Sequence, residues 1–165
     1  MIPGNAFCLC VVTVVGQCIG AGNIVDAKKL IRSFLWLSSI SIFVICVIIL
    51  PFFYPLAALF NPPASIVPNL YTIFIINSIA SILLWPISFL TPSALRAAGD
   101  AKFTSIVSML SMWLFRIGLG YMLGIVFKFG IVGVWAAMDC EWGIRGAIFL
   151  RRYYGTKWHQ HQLIS

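Results

Sequence analysis

Five long apolar stretches separated by short polar or basic connections set the pattern of this chain. They cover residues 4–22, 33–60, 70–91, 103–127 and 130–150. Each holds about 18 or more largely apolar residues, enough for an α-helix to cross a hydrocarbon core of roughly 30 Å. The runs lack the period-two alternation of a membrane β-barrel, and lipid offers no partners to backbone N–H and C=O groups, so the pattern predicts helices. The expected fold is an all-α integral membrane bundle over residues 1–152, with five transmembrane helices and a polar tail over 153–165. The first stretch opens "MIPGNAFCLC", with no basic residue before it and no A-x-A cleavage pattern after it. It reads as a retained helix, not a secretory signal.

Composition agrees with that environment. Hydrophobic residues make up 61% of the 165 and charged residues only 9%, against roughly 25% charged in soluble domains. The net charge of +7 matters through its placement. Lys28, Lys29 and Arg32 follow the first stretch, Arg96 and Lys102 divide the third from the fourth, and Arg151, Arg152 and Lys157 follow the fifth. The other two connections hold only Lys128. Basic connections stay in the cytoplasm, so the N-terminus is expected outside and the C-terminus inside, in a multi-pass protein of the cell membrane. The charge then needs no nucleic-acid partner. The partner it predicts is the lipid bilayer, with anionic lipid a secondary contact for the tail "RRYYGTKWHQH".

Candidate chemistry is sparse. Cys8, Cys10, Cys18, Cys46 and Cys140 lie inside the apolar stretches without CxxC spacing, and His159 and His161 stand alone on the tail. No metal site and no cofactor is expected. No histidine lies in a membrane stretch and no serine in a G-x-S-x-G turn, so the chain does not read as an enzyme.

Turns and prolines carry more. Both "GQCIGAGN" and "ALRAAGDAKF" place Ala-Gly before Asn or Asp. Gly22 and Gly99 suit the left-handed residue that ends a helix, and Asn23 and Asp100 can cap the next helix through a side-chain oxygen. Asp26 stands three residues beyond Asn23, as in a capping box, and opens a short amphipathic stretch, "IVDAKKLIRS". Pro62, Pro63 and Pro68 in "FNPPASIVPN" predict a stiff, mostly extended connector. Pro86 in "LLWPISFLTP" removes a helix hydrogen bond and predicts a kink, equally suited to structure or to a transport hinge.

The intramembrane charges are the sharpest feature. Each costs at least about 2.5 kcal/mol at the bilayer centre, so partners or water are expected. Arg116 lies thirteen residues beyond Phe103, and Asp139 and Glu141 lie twelve and ten before Arg151. At about 1.5 Å per residue all three sit roughly 15–20 Å above the cytoplasmic boundary. Glu141 and Arg145, four apart, share a helix face. Asp139 and Glu141, two apart, point away from each other, so only one acid faces Arg116. An unpaired Asp139 would be neutral through desolvation, which suits proton coupling.

Four segments then carry a resemblance: "GQCIGAGN" (16–23), "SALRAAGDAKF" (93–103), "MWLFRIGLGYMLG" (112–124) and "VGVWAAMDCEWGIRGAIF" (132–149). In this order they resemble the second half of a multidrug and toxic compound extrusion (MATE) transporter. The resemblance implies twelve helices in two six-helix lobes, exporting organic, often cationic, compounds in exchange for H⁺ or Na⁺. These stretches would be the eighth to twelfth helices, most of one lobe, and the chain a C-terminal fragment whose N-terminal lobe is missing. In the family pattern an acid precedes Trp in acid-Trp-x-x-Arg, which Glu141 fills, leaving Asp139 as a departure. The implied structural cluster is Glu141 with Arg145 and Arg116. Some members bind a cation in this lobe with carboxylates on the seventh and tenth helices. The segment matching the tenth, "NLYTIFIINSIASILLW", offers Asn77 and no acid. Asp139, Glu141 and Asn77 are thus the coupling candidates. A lipid-linked oligosaccharide flippase of the same superfamily, or a non-catalytic membrane subunit, are the alternatives. The near balance of Arg116 and Arg145 against Asp139 and Glu141 argues against the flippase, which calls for a strongly basic cavity.

Overall fold

A computed structural model describes residues 2–63 and 65–155. His159, His161 and most of the polar tail lie outside the described residues. Within them the chain is helical, with α1 over Ile2–Gly20, α2 over Ile24–Ile49, α3 over Phe53–Leu59, α4 over Val67–Leu83, α5 over Thr91–Ala97, α6 over Ala101–Ser111 and α7 over Gly130–Tyr154.

The turn between α1 and α2 is built by its own residues. Gly22 takes φ +75°, the N–H of Asn23 reaches Cys18 O, and Asn23 Oδ1 accepts the Asp26 N–H at 3.2 Å. That cap starts α2 at Ile24, nine residues before the apolar stretch begins. The segment "IVDAKKLIRS" is therefore the opening of the long helix, not a separate element. One buried stripe runs along it, through Ala27, Ile31, Ser38 and Ile42.

Prolines act by position. Pro68 falls within the first turn of α4, where a missing N–H costs nothing, so it belongs to the helix and not to the extended connector expected for it. Pro86 opens a five-residue wide turn, Pro86–Leu90, and the axes on either side differ by 53°. Its ring cannot continue the ladder of α4. The run from α6 continues through wide turns at Met112–Leu119 and Met122–Val126.

Two packed regions hold the bundle. At the basic end, Val11 and Val15 of α1 meet Ala27 and Ile31 of α2, Leu90 and Leu95 around α5, and Phe149 of α7. Further along, Ile42, Trp85 and Trp142 form a second cluster. Small residues allow the approach. A Cβ on Gly4 would collide with the Trp85 ring, and one on Gly133 would stand 2.7 Å from Leu123 O.

Two described runs are long and apolar enough to cross a membrane, Ile24–Leu59 and Ala101–Val126, and the bent pair Val67–Leu83 with Pro86–Ala97 makes a third if taken as one span. The apolar part of α1, Gly4–Gly20, is shorter. α7 is 25 residues long, but Asp139, Glu141 and Arg145 interrupt its apolar sequence. Length and apolarity alone thus give two or three spans against the five expected.

Candidate functional site

α7 carries charge on two different faces. Gly133, Ala137, Glu141 and Arg145 follow one another at four-residue steps, which stack on one side of a helix. That side packs on the run following α6: Gly133 against the Leu123 backbone and Ala137 against Gly120. Glu141 is fully buried and its oxygens are well supplied. Oε1 lies 2.7 Å from Arg145 Nη1 and accepts from Ser111 Oγ at 3.2 Å, while Oε2 accepts from Arg116 Nη2 at 2.9 Å. Arg145 Nε donates to Ser88 Oγ at 2.8 Å, and its guanidinium lies 4.6 Å from the centre of the Phe89 ring. The carboxylate thus joins two helical runs, α7 and the run from α6, and Arg145 ties in the turn after α4 through Ser88, an arrangement in which each ion offsets the desolvation of another. Arg116 is the outer member, with its side chain 38% exposed.

The opposite side of α7 faces α4 and the wide turn after it. Trp135 shares a groove with Asn77, Gly143 rests on Leu84 and Gly146 on Ile87. Asp139 lies on this stripe, between Trp135 and Gly143. It is 6% exposed, and neither carboxylate oxygen has a hydrogen-bond partner among the described residues. Asn77 and Ser81 of α4 and Leu84 at its C-terminal cap recur at helical spacing. Asn77 Oδ1 and Ser81 Oγ are also buried and unpartnered, as is Trp142 Nε1. Buried polar groups normally find partners, so a group of unmet oxygens on one helix interface is unusual. Carboxylate, amide and hydroxyl oxygens are also the donor types that hold a proton or a hard cation.

The structure therefore brings Glu141, Arg145 and Arg116 together, holds Asp139 apart from them, and puts Asn77 on the same interface as Asp139 without a hydrogen bond between them. At the outer end of that interface, Asn77 and Trp135 line an otherwise apolar groove of about 480 Å³ together with Phe53, Phe60 and Phe74.

The turn residues divide. Gly22 and Gly99 both have positive φ, +75° and +89°, and Asn23 caps α2. Asp100 makes no side-chain cap on α6. Its Oδ2 instead accepts from Arg152 Nε at 2.7 Å, and the Arg152 guanidinium covers the Phe103 ring. An ionised partner outbids a backbone N–H for the carboxylate. Ser88, Ser111 and Ser81 were not singled out from sequence. Asn77, Ser81 and Ser88 recur at four- and seven-residue intervals, a polar stripe that was the available signal.

A profile of the MatE family matches residues 1–122. The "Uncharacterized transporter YisQ" of Bacillus subtilis (strain 168) is 40% identical over 68 residues, 41% of this chain and 15% of that protein. The "Probable multidrug resistance protein YoeA" of the same organism is 22% identical over 167 residues, 98% of this chain and 35% of its own length. The chain thus spans about a third of the longer-matching relative. No solved structure matches.

Proposed function

This chain belongs to the MatE family, and from that premise we propose that it works as part of a membrane antiporter that exports organic, often cationic, compounds in exchange for H⁺ or Na⁺. Its family and its transporter relatives support a membrane transporter. In our reading α1, the run α2–α3, the bent run α4–α5, the run from α6, and α7 are five spans. The basic turns and the C-terminus are cytoplasmic and the N-terminus is outside. The short α1 fits by sitting nearly upright, and the charges of α7 are tolerated because they face protein. A second lobe, matching the remaining length of relatives such as YoeA, would close the substrate cavity.

The observation that carries the coupling proposal is the unpartnered, buried Asp139. Glu141 is neutralised by two arginines and has no free oxygen to offer, so it serves as structural glue. Asp139 has both oxygens without a hydrogen-bond partner among the described residues, and the α4 residues Asn77 and Ser81 also carry unmet oxygens. An ion or proton arriving from a wet cavity would gain most there. The bend at Pro86 lies one turn beyond, and a hinge at that point would open or close the α4–α7 interface.

The test is export of ethidium from cells producing the complete transporter, measured across external pH and Na⁺. Asp139→Asn is expected to abolish the dependence on the coupling ion. A profile unchanged from wild type would remove Asp139 from the mechanism.

A further inference from the structure

A second cavity, larger than the groove beside Asn77, lies away from these acids at the basic end of the bundle. It is a groove of about 710 Å³ between α2 and α7, inside the range of roughly 300–1,000 Å³ typical of ligand sites. Its rim and floor differ in chemistry. Lys28, Lys29 and Arg32, on the first turns of α2, line one end, while Trp36, Leu83 and Ile87 line the apolar length. The floor straddles the bend, since Pro86 is also part of it. The bend carries α5 off the line of α4 and leaves the space between the neighbouring helices. Asp26 is the acid near the rim; it meets Lys29 at 3.5 Å, with both side chains largely exposed. Three cations against one carboxylate leave the segment 26–32 with a net charge of +2.

From this arrangement we propose that the groove is a binding site for one anionic phospholipid, its phosphate on the Lys28–Lys29–Arg32 rim and one acyl chain along the floor. Charge complementarity selects the occupant. A basic rim repels an organic cation, so the groove is not a second drug site. The apolar floor gives no purchase to a free phosphate, and an amphiphile satisfies both ends at once. Trp36, 68% exposed, stands where an aromatic ring anchors a helix at the headgroup level. The site rests on the membrane placement proposed above, but it needs neither Asp139 nor transport. A failure here and a failure of coupling are therefore separable.

The experiment is native mass spectrometry of the full chain released from detergent, with dioleoyl phosphatidylglycerol and dioleoyl phosphatidylcholine supplied in equal amounts. The wild type is expected to retain one phosphatidylglycerol in preference to phosphatidylcholine. Replacing Lys29 and Arg32 by Gln should weaken that preference roughly fivefold per cation removed, while Arg151→Gln, outside the groove, should leave it intact. Leu83→Trp fills the floor and should remove the retained lipid although the rim is unchanged. Glycerol phosphate, which carries the headgroup charge without an acyl chain, should not compete. Equal retention of the two lipids, a preference that survives the rim or floor variants, or competition by glycerol phosphate would each overturn the proposal. Far-UV circular dichroism of each variant checks that it is folded. Single Lys29→Gln and Arg32→Gln variants repeat the rim test should the pair not fold.

Discussion

Asp139 and Glu141 stand two residues apart on α7 and are buried to a similar degree, yet among the described residues Glu141 has three side-chain partners and Asp139 has none. Their difference comes from helix phase. A step of two residues turns a side chain by about 200°, so Glu141 meets the run from α6, where Ser111 and Arg116 supply partners, and Asp139 points away from them. Burial by itself therefore says little about the role of an intramembrane acid. What it faces decides whether it holds helices together or, as we propose for Asp139, takes part in ion coupling.

The contrast can be broken most forcefully on the paired side. Glu141→Gln leaves Arg116 and Arg145 without their anion and should cost about 3–5 kcal/mol, seen as a large fall in the thermal unfolding midpoint of the purified protein and in its yield from membranes. A smaller loss is expected from packing on the other face. In Gly146→Val the added Cβ stands 3.0 Å from Ile87 Cγ2, and overpacking of this kind costs about 1–3 kcal/mol. The same unfolding assay reads it.

Asp100 supplies a third acid for comparison, paired with Arg152 but at the end of the bundle. Asp100→Asn should cost about 1–2 kcal/mol, because a charge-assisted hydrogen bond is weakened and not fully lost. Limited proteolysis of the α5–α6 turn would show it as faster cleavage. Asp139→Asn should change stability least, by less than about 1 kcal/mol, because no partner is stranded. If its unfolding midpoint fell as far as that of Glu141→Gln, Asp139 would have a structural partner after all.

What sequence could decide was whatever a single helix decides. The four-residue spacing of Glu141 and Arg145 and the two-residue spacing of Asp139 and Glu141 need no knowledge of the neighbours. The turn glycines and Asn23 are likewise local, since a cap is made within four residues. Asp100 shows the limit: its local options included a cap on α6, but an arginine 52 residues away took the carboxylate. Ser88 and Ser111 were hidden for the same reason. A serine in an apolar helix looks alike whether it bonds its own backbone or a distant charged side chain, Arg145 for Ser88 and Glu141 for Ser111, and only the register between helices tells them apart. The wide turns after Ser111 carry no proline to announce them. The apolar run points to a helix from residue 33, but the Asn23 cap begins α2 at Ile24.

Separate duties for the two acids of α7 can be tested in one crossed measurement. Asp139→Asn and Glu141→Gln, each in the complete transporter reconstituted into vesicles, are compared for thermal midpoint and for ethidium uptake driven by an imposed pH or Na⁺ gradient. Asp139→Asn is expected to keep the wild-type midpoint and lose gradient-driven uptake, while Glu141→Gln loses the midpoint. Gradient-driven uptake at the wild-type rate in a folded Asp139→Asn protein would contradict that separation.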